Sequence, residues 1–374
     1  MRLRPVLLLL TLVAARSEEL KPVFPGAAWE RVTTPEAAGF SSARLDVLRA
    51  WMKTQSTTAM VVSVGGRILF DYGDTKRLSV IASARKSVLG MLYARYLGGN
   101  EQEAIATLSK TVKELGLDDV QKFLPIEEKA TLRDLLMSRS GIYHPAGNDE
   151  PPDMCPVRGS QHPGAFFCYN NWDFDAAGTA FEKLSGKNIY DALQSDLAGP
   201  IGMQDFDRAR QKKDTALPYS VHPLYHMYLS TRDMARIGLL MLRGGNWAGR
   251  QIIHPNWVTF MTTLVTPVNE LFPSNFRNEA ERNDWRFGFG VMWWVWDSPR
   301  LPAGMGSGGF YEAYSAMGYG GQYITVLPAY DMVVAHKVDL DTVREENYVS
   351  GPQFRTVLDM LLSSHCGKNC QAPK

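Results

Sequence analysis

An excess of either charge, metal-binding cysteine pairs and long apolar runs are all missing from most of this chain. Lysine plus arginine number 40 and aspartate plus glutamate 39, a net charge of +1. No basic field therefore exists to recruit a polyanion, and nucleic acid is not an expected partner. With four cysteines and seven histidines, the 374 residues contain neither Cys-x-x-Cys nor His-Glu-x-x-His. No metal and no cofactor is expected. Gly-x-Ser-x-Gly is absent too, which removes the strand-to-helix elbow of the α/β-hydrolases. Gly304-Met305-Gly306-Ser307-Gly308-Gly309 satisfies Gly-x-Gly-x-x-Gly, yet it follows Pro299 and Pro302 instead of a buried strand and no clear helix follows. A nucleotide site is not expected there. Beyond Ala15 no segment stays apolar for long enough to cross a bilayer, since Asp297 and Arg300 close the most hydrophobic candidate after Trp296. No internal repeat or low-complexity segment is evident.

What is present reads as a globular protein that leaves the cell. Hydrophobic residues make up 45% and charged residues 21%, ordinary for a chain able to bury a large core. Arg2 and Arg4 precede an apolar core from Pro5 to Ala15, of secretory-signal length and too short for a membrane span. Residues 1–17 are expected to be a signal peptide cleaved near Ala15 or Ser17, leaving 18–374 as one secreted or periplasmic domain with no stable membrane insertion. The cysteines fit that destination. Cys155 and Cys168 bracket a short Pro-Gly loop, and Cys366 and Cys370 bracket Gly367-Lys368-Asn369, so two local disulfides are the simplest of the three pairings. The first would pin Tyr169, and closing such a loop contributes about 3 kcal/mol in the chain-entropy model.

The chemistry centres on Ser83-Ala84-Arg85-Lys86, at the start of an apolar stretch that runs to Leu97. Residues three apart on a helix share a face, so Ser83 and Lys86 are within reach of each other. A serine hydroxyl needs a neighbour to take its proton, and a lysine serves only when neutral. Burial and the positive end of a helix both disfavour the ammonium form, which suits Lys86 to a general base. Downstream, Tyr169-Asn170-Asn171 supplies a Tyr-x-Asn after a polar loop rich in Pro and Gly. Asn170 reads as a neighbour without a role.

Ser-x-x-Lys followed by Tyr-x-Asn resembles the serine hydrolases related to class C β-lactamases and penicillin-binding proteins. The segments from Ala130 to Gly141 and from Ser230 to Gly238 resemble further signatures of that family. Gly318-Tyr319-Gly320-Gly321-Gln322 is most similar to the branch containing 6-aminohexanoate-dimer hydrolase and related esterases. The resemblance covers nearly all of the mature chain. It implies an acyl-enzyme on Ser83, with Lys86 and Tyr169 as one coupled proton-handling unit. It also implies Asn171 as a substrate-positioning residue, and the amides of Ser83 and of Tyr319, just after Gly318, as oxyanion donors.

One departure bears on substrate. Where the family carries a basic residue on the strand beside the nucleophile, this chain reads Ala316-Met317-Gly318, and no Lys, Arg or His occurs from Phe310 to Gln322. A cation aimed at a carboxylate is worth more than a neutral contact. Its loss favours a small neutral ester or linear amide over carboxylate-bearing lactams. The alternatives are a β-lactamase or D-Ala-D-Ala-type peptidase, and a catalytically silent cell-wall-binding relative. The sequence does not set the oligomeric state.

The expected architecture is α+β, β-lactamase/transpeptidase-like: an antiparallel sheet flanked by helices, from about residues 30–99 and 226–365, with an all-α insert at about 100–225. Met60–Val64 and Ile68–Tyr72 around Gly65-Gly66 read as a hairpin. Phe287–Trp296, Gln322–Leu327 and Val333–Ala335 read as strands, and Gln353–Leu362 as a covering helix. Trp293, Trp294 and Trp296 read as strand core more readily than as an acyl pocket. His144 reads either as an edge of the cleft or as loop turn chemistry.

Overall fold

The computed structural model describes residues 22–147, 155–271, 285–297, 310 and 312–370. The expected signal peptide and the Gly304–Gly309 run lie outside the described residues.

Two adjacent glycines set the first hairpin. Gly65 and Gly66 have φ of +59° and +80°, the handedness that matches strand twist in a two-residue turn. They join β1 (Ala59–Val64) to β2 (Arg67–Gly73). A ribbon is made by β3 (Ser79–Val80) and β6 (Tyr228–Leu229), with β4 (Lys212–Asp214) pairing β5 (Leu224–His226) and β7 (Asn246–Trp247) pairing β8 (Arg250–Gln251). The C-terminal part supplies β9 (Phe287–Phe289), β10 (Trp294–Trp296), β11 (Tyr314–Gly318), β12 (Gln322–Leu327) and β13 (Met332–Lys337). Seven strands form one antiparallel sheet in the order β2-β1-β13-β12-β11-β10-β9, so strands from both ends of the chain meet at β1 and β13.

Helices cover both faces of this sheet, which explains why its central strands are apolar without alternation. On one face lie α2 (Ala84–Tyr93) and α7 (Thr231–Leu242), packed on Val61, Ala316, Ile324, Val333 and Ala335. Gly238 lets α7 settle onto the strands, since a Cβ there would lie 2.3 Å from Val333 Cγ1. On the other face α1 (Ser42–Met52) and α9 (Gly351–Ser363) pack on Met60, Val62, Val334 and Leu327. Ser350 and Gln353 close the start of α9 as a reciprocal capping box.

The helical lobe contains α3 (Glu101–Leu108), α4 (Leu132–Leu136), α5 (Asn171–Ser185) and α6 (Ile189–Ala192). It is not all-α, because β4 and β5 close its C-terminal end. There Tyr225 lies against α5 so closely that a Cβ on Gly178 would be 2.8 Å from its ring. A further helix, α8 (Pro255–Thr262), follows the sheet-covering α7.

Two other sequence expectations need correction. Phe287–Trp296 is a hairpin, not one strand: residues 290–293 turn the chain, with Met292 at φ +60°. Turn chemistry was hidden because Val291, Met292 and Trp293 are themselves buried in the core. His144 does not edge the cleft. It is buried in the lobe, where its Nδ1 lies 2.9 Å from Asp119 Oδ2, which also accepts from Trp172 Nε1 at 2.6 Å. Burial alone would raise the Asp119 and Glu127 carboxyls. Hydrogen bonds from His144, Val221 and Trp172 to Asp119, and from Arg158 to Glu127 with the His144 ring 3.5 Å away, hold both below the usual range, Glu127 at about 2.

Lys337 ends β13 inside the protein, 2% exposed. Its Nζ donates to the carbonyls of Ser79 at 2.8 Å and Leu229 at 2.6 Å, tying the β3–β6 ribbon to the sheet. Burial pushes this amine down to about 7. Between that value and the unfolded pKa of about 10.4 the unfolded chain binds more protons, so this group favours the fold increasingly as pH rises. Urea midpoints at pH 7 and pH 10 are expected to show wild type gaining on Lys337→Met at the higher pH. A constant difference between the two would contradict the assignment.

Candidate active site

Serine at a helix start usually spends its hydroxyl on the backbone. Ser41, Ser230 and Ser350 do so here, each accepting from an amide three residues on. Ser83 occupies the same position at the start of α2 but makes no side-chain cap. Its side chain lines a cleft of about 1020 Å³ instead. The preceding residue, Ala82, has φ +45°, left-handed backbone that a residue with a Cβ adopts only at a cost of about 1–2 kcal/mol. The strain falls on the turn that presents Ser83.

Lys86 lies one helical turn further on and is buried at 2% exposure. Its Nζ donates to Tyr169 Oη at 2.9 Å and to Asn171 Oδ1 at 2.5 Å. The same nitrogen sits 4.2 Å from the Tyr169 ring centroid and 4.4 Å from that of Phe174. Tyr169 and Asn171 also line the cleft.

Three devices fix Tyr169. Cys168 is disulfide-bonded to Cys155, and a second disulfide joins Cys366 to Cys370, the pairing expected from spacing. Ser138 and Cys168 exchange hydrogen bonds, Ser138 Oγ donating to the Cys168 carbonyl at 2.8 Å and the Cys168 amide to the Ser138 carbonyl at 3.0 Å. Asn170, read from sequence as a bystander, caps α5 by accepting from the Asp173 amide at 2.9 Å. It anchors the residues on either side of it.

The end of β11 forms the opposite wall. A Cβ on Gly318 would lie 2.4 Å from the Ile81 carbonyl oxygen and 3.0 Å from the Ala84 amide nitrogen. Only glycine lets this strand reach the turn that carries Ser83. Tyr319 follows at the cleft edge, half exposed, its phenol donating to Glu345. The six residues expected from sequence are thus brought together: Ser83, Tyr169, Asn171, Gly318 and Tyr319 line one cleft, and Lys86 stands directly behind Tyr169 and Asn171.

The tryptophans divide. Trp294 lines the cleft and stacks on Tyr169 at 5.5 Å, with Trp285 edge-on to it at 5.4 Å, whereas Trp293 and Trp296 are buried in the core. Ionisable groups on the described cleft wall besides Tyr169 are few. Arg85 is ion-paired to Asp175, burial pulls the His226 imidazole down, and Glu345 and Glu346 stand at the rim with Tyr348.

A family model described as Beta-lactamase matches residues 47–339. The chain belongs to the beta-lactamase family. Solved structures share the fold at low identity. A putative 6-aminohexanoate-dimer hydrolase from Bacillus anthracis superposes with TM-score 0.57 at 18% identity, over 92% of this chain and 87% of the other. A family VIII carboxylesterase gives TM-score 0.58 at 13% identity, over 87% and 99%. EstCE1, titled a hydrolase with promiscuous acyltransferase activity, gives 0.55 at 13%, over 86% and 98%. Among curated sequences, an uncharacterized protein of Alkalihalophilus pseudofirmus is 26% identical over 110 residues, which span 29% of this chain and 29% of that one. Family membership makes the protein a serine hydrolase in class.

In this beta-lactamase-family site, sequence reasoning missed Arg85, Asp175, Trp285 and the Glu345–Tyr348 rim. Asp175 had a signal, one helical turn after Asn171, while the rim is contributed by a segment with no motif. Replacing Gly318 by alanine is expected to reduce the rate of fluorophosphonate labelling of Ser83 by at least about 100-fold, the scale of a displaced oxyanion donor. Intact-mass labelling kinetics on folded protein read this directly, and an unchanged rate would refute the close approach at β11.

Proposed function

We propose that this protein is a secreted hydrolase that cleaves a neutral ester or linear amide through an acyl-enzyme on Ser83. The observation that carries the reading is the buried Lys86 amine, hydrogen-bonded to Tyr169 and Asn171 one turn from a serine that leaves its helix uncapped. Ser83 Oγ attacks the carbonyl carbon and its proton passes to neutral Lys86, with Tyr169 in the relay. The amides of Ser83 and Tyr319 hold the oxyanion, which backbone donors do without reorganisation. Tyr169 returns the proton to the leaving alcohol or amine, and water then attacks the acyl-enzyme to free the acid. Asn171 holds Lys86 and faces the bound substrate. The two disulfides support an oxidising destination.

Substrate polarity follows from the wall beside Gly318. β11 carries no Lys, Arg or His, and Arg85, the arginine on the cleft wall, is ion-paired to Asp175. A β-lactam or a peptide stem would bring its carboxylate to a wall that offers no free cation from β11. Trp294 and Trp285 instead favour apolar groups.

Fluorophosphonate is expected to label Ser83 in wild type and not in Ser83→Ala, as located by peptide mass spectrometry. A short p-nitrophenyl ester is expected to be hydrolysed with higher kcat/KM than nitrocefin. Faster nitrocefin turnover would favour the β-lactamase alternative. Absence of label in folded wild type would favour the silent binding relative.

A further inference from the structure

Between Ser83 and Lys86 stands a charge that the reaction above does not use. Arg85 is 3% exposed, and its Nη2 donates to Asp175 Oδ1 at 2.8 Å, with side-chain exposures of 4% and 1%. The guanidinium also lies 4.7 Å from the Tyr225 ring centroid, on β5. Consecutive residues of α2 are therefore gripped by α5 at two points one turn apart. Asn171 takes Lys86, and Asp175 takes Arg85. A third tie, Tyr93 Oη to the Ala177 carbonyl at 2.6 Å, continues the same helix pair. Residues i and i+4 share a helix face, so one rotation of α5 aligns both grips. That rotation also sets where Tyr169, two residues before Asn171, meets Lys86.

We propose that the Arg85–Asp175 ion pair is a positioning element for the Ser83 reaction, locking α5 in register with α2 and cancelling a buried cation beside Lys86. This rests on the serine-hydrolase reading. A bare buried cation next to Lys86 would disfavour its ammonium form, and Asp175 removes that field. Other ionisable groups facing the pair are Tyr169 just ahead of α5, Tyr225 and His226 on β5, with Asp214 of β4 beside His226, and Tyr190 on α6. Asp173, on α5 itself, accepts from Ser140, and burial pushes its carboxyl well up. A separate buried charge cluster of the lobe surrounds Asp119 and Glu127.

The test is the pH profile of kcat/KM for p-nitrophenyl acetate with the full mature protein, alongside circular dichroism. Asp175→Asn keeps shape and leaves Arg85 uncompensated. Its acid limb is expected to move to lower pH by about one unit, with kcat down about tenfold and KM within threefold. Removing both charges, in Arg85→Met with Asp175→Asn, is expected to return the limb to the wild-type position while kcat stays low. Arg85→Lys, which keeps the cation beside Asp175, is expected to leave the limb in place and serves if the others fail to fold. Equal loss at every pH with unmoved limbs, unchanged kcat in Asp175→Asn, or a shifted limb in Arg85→Lys would each overturn the proposal. Failure of the reading itself is separately visible, as wild type that neither hydrolyses the ester nor labels at Ser83.

Discussion

A lysine amine taken out of water is tolerated only where other groups replace the solvent around it. Lys86 is such an amine, and much of the lobe exists in the arrangement it has because of this one nitrogen. Tyr169 and Asn171 supply polar partners, and the rings of Tyr169 and Phe174 supply negative faces. All four contacts come from the six residues Tyr169–Phe174, at the start of α5 and the segment entering it. The cap at Asn170, the disulfide at Cys168 and the Ser138 bonds hold that neighbourhood in place. In the proposed reaction this buried amine loses and regains a proton, and a phenol with an amide carbonyl suits both states better than a carboxylate would.

The sheet supplies the other wall of the cleft, packed on both faces. Because helices cover both of its faces, β11 is fixed from either side, and its last residue comes within van der Waals distance of the nucleophile turn. The cleft is therefore a seam between the end of an interior sheet strand and a helical lobe. The seam is pinned at several places, where Ser87 Oγ meets the Met292 carbonyl and the Met292 amide meets the Leu136 carbonyl. Lys337 adds a further pin on the far side, through the ribbon that leads into Ser83.

How far the site was legible depended on whether its parts sit in short motifs. Ser83, Lys86, Tyr169 and Asn171 are readable because helix spacing and a family resemblance converge on them. Gly318 is readable because a close approach demands glycine. Arg85 was in plain view inside the motif, but its meaning needs Asp175, ninety residues away, and pairing at that distance leaves no trace in a single sequence. The sheet was largely legible from its apolar runs and the Gly65-Gly66 turn. Its one misread segment, residues 287–296, failed because a turn buried in the core carries apolar side chains in place of polar ones. The helical lobe was overextended to residue 225 because β4 and β5 are three residues each, too short for a period to show.

The two-point grip of α5 on α2 also bears on how this chain can change length. A residue inserted between Asn171 and Asp175 would turn the second grip about 100° around the helix axis and carry it away from Arg85. A residue inserted before Cys155 would alter neither grip, since the disulfide and the Asn170 cap reset the geometry downstream. Insertions and deletions in descendants of this sequence should therefore accumulate ahead of the disulfide and be purged from the first turn of α5, where Asn171 and Asp175 hold Lys86 and Arg85.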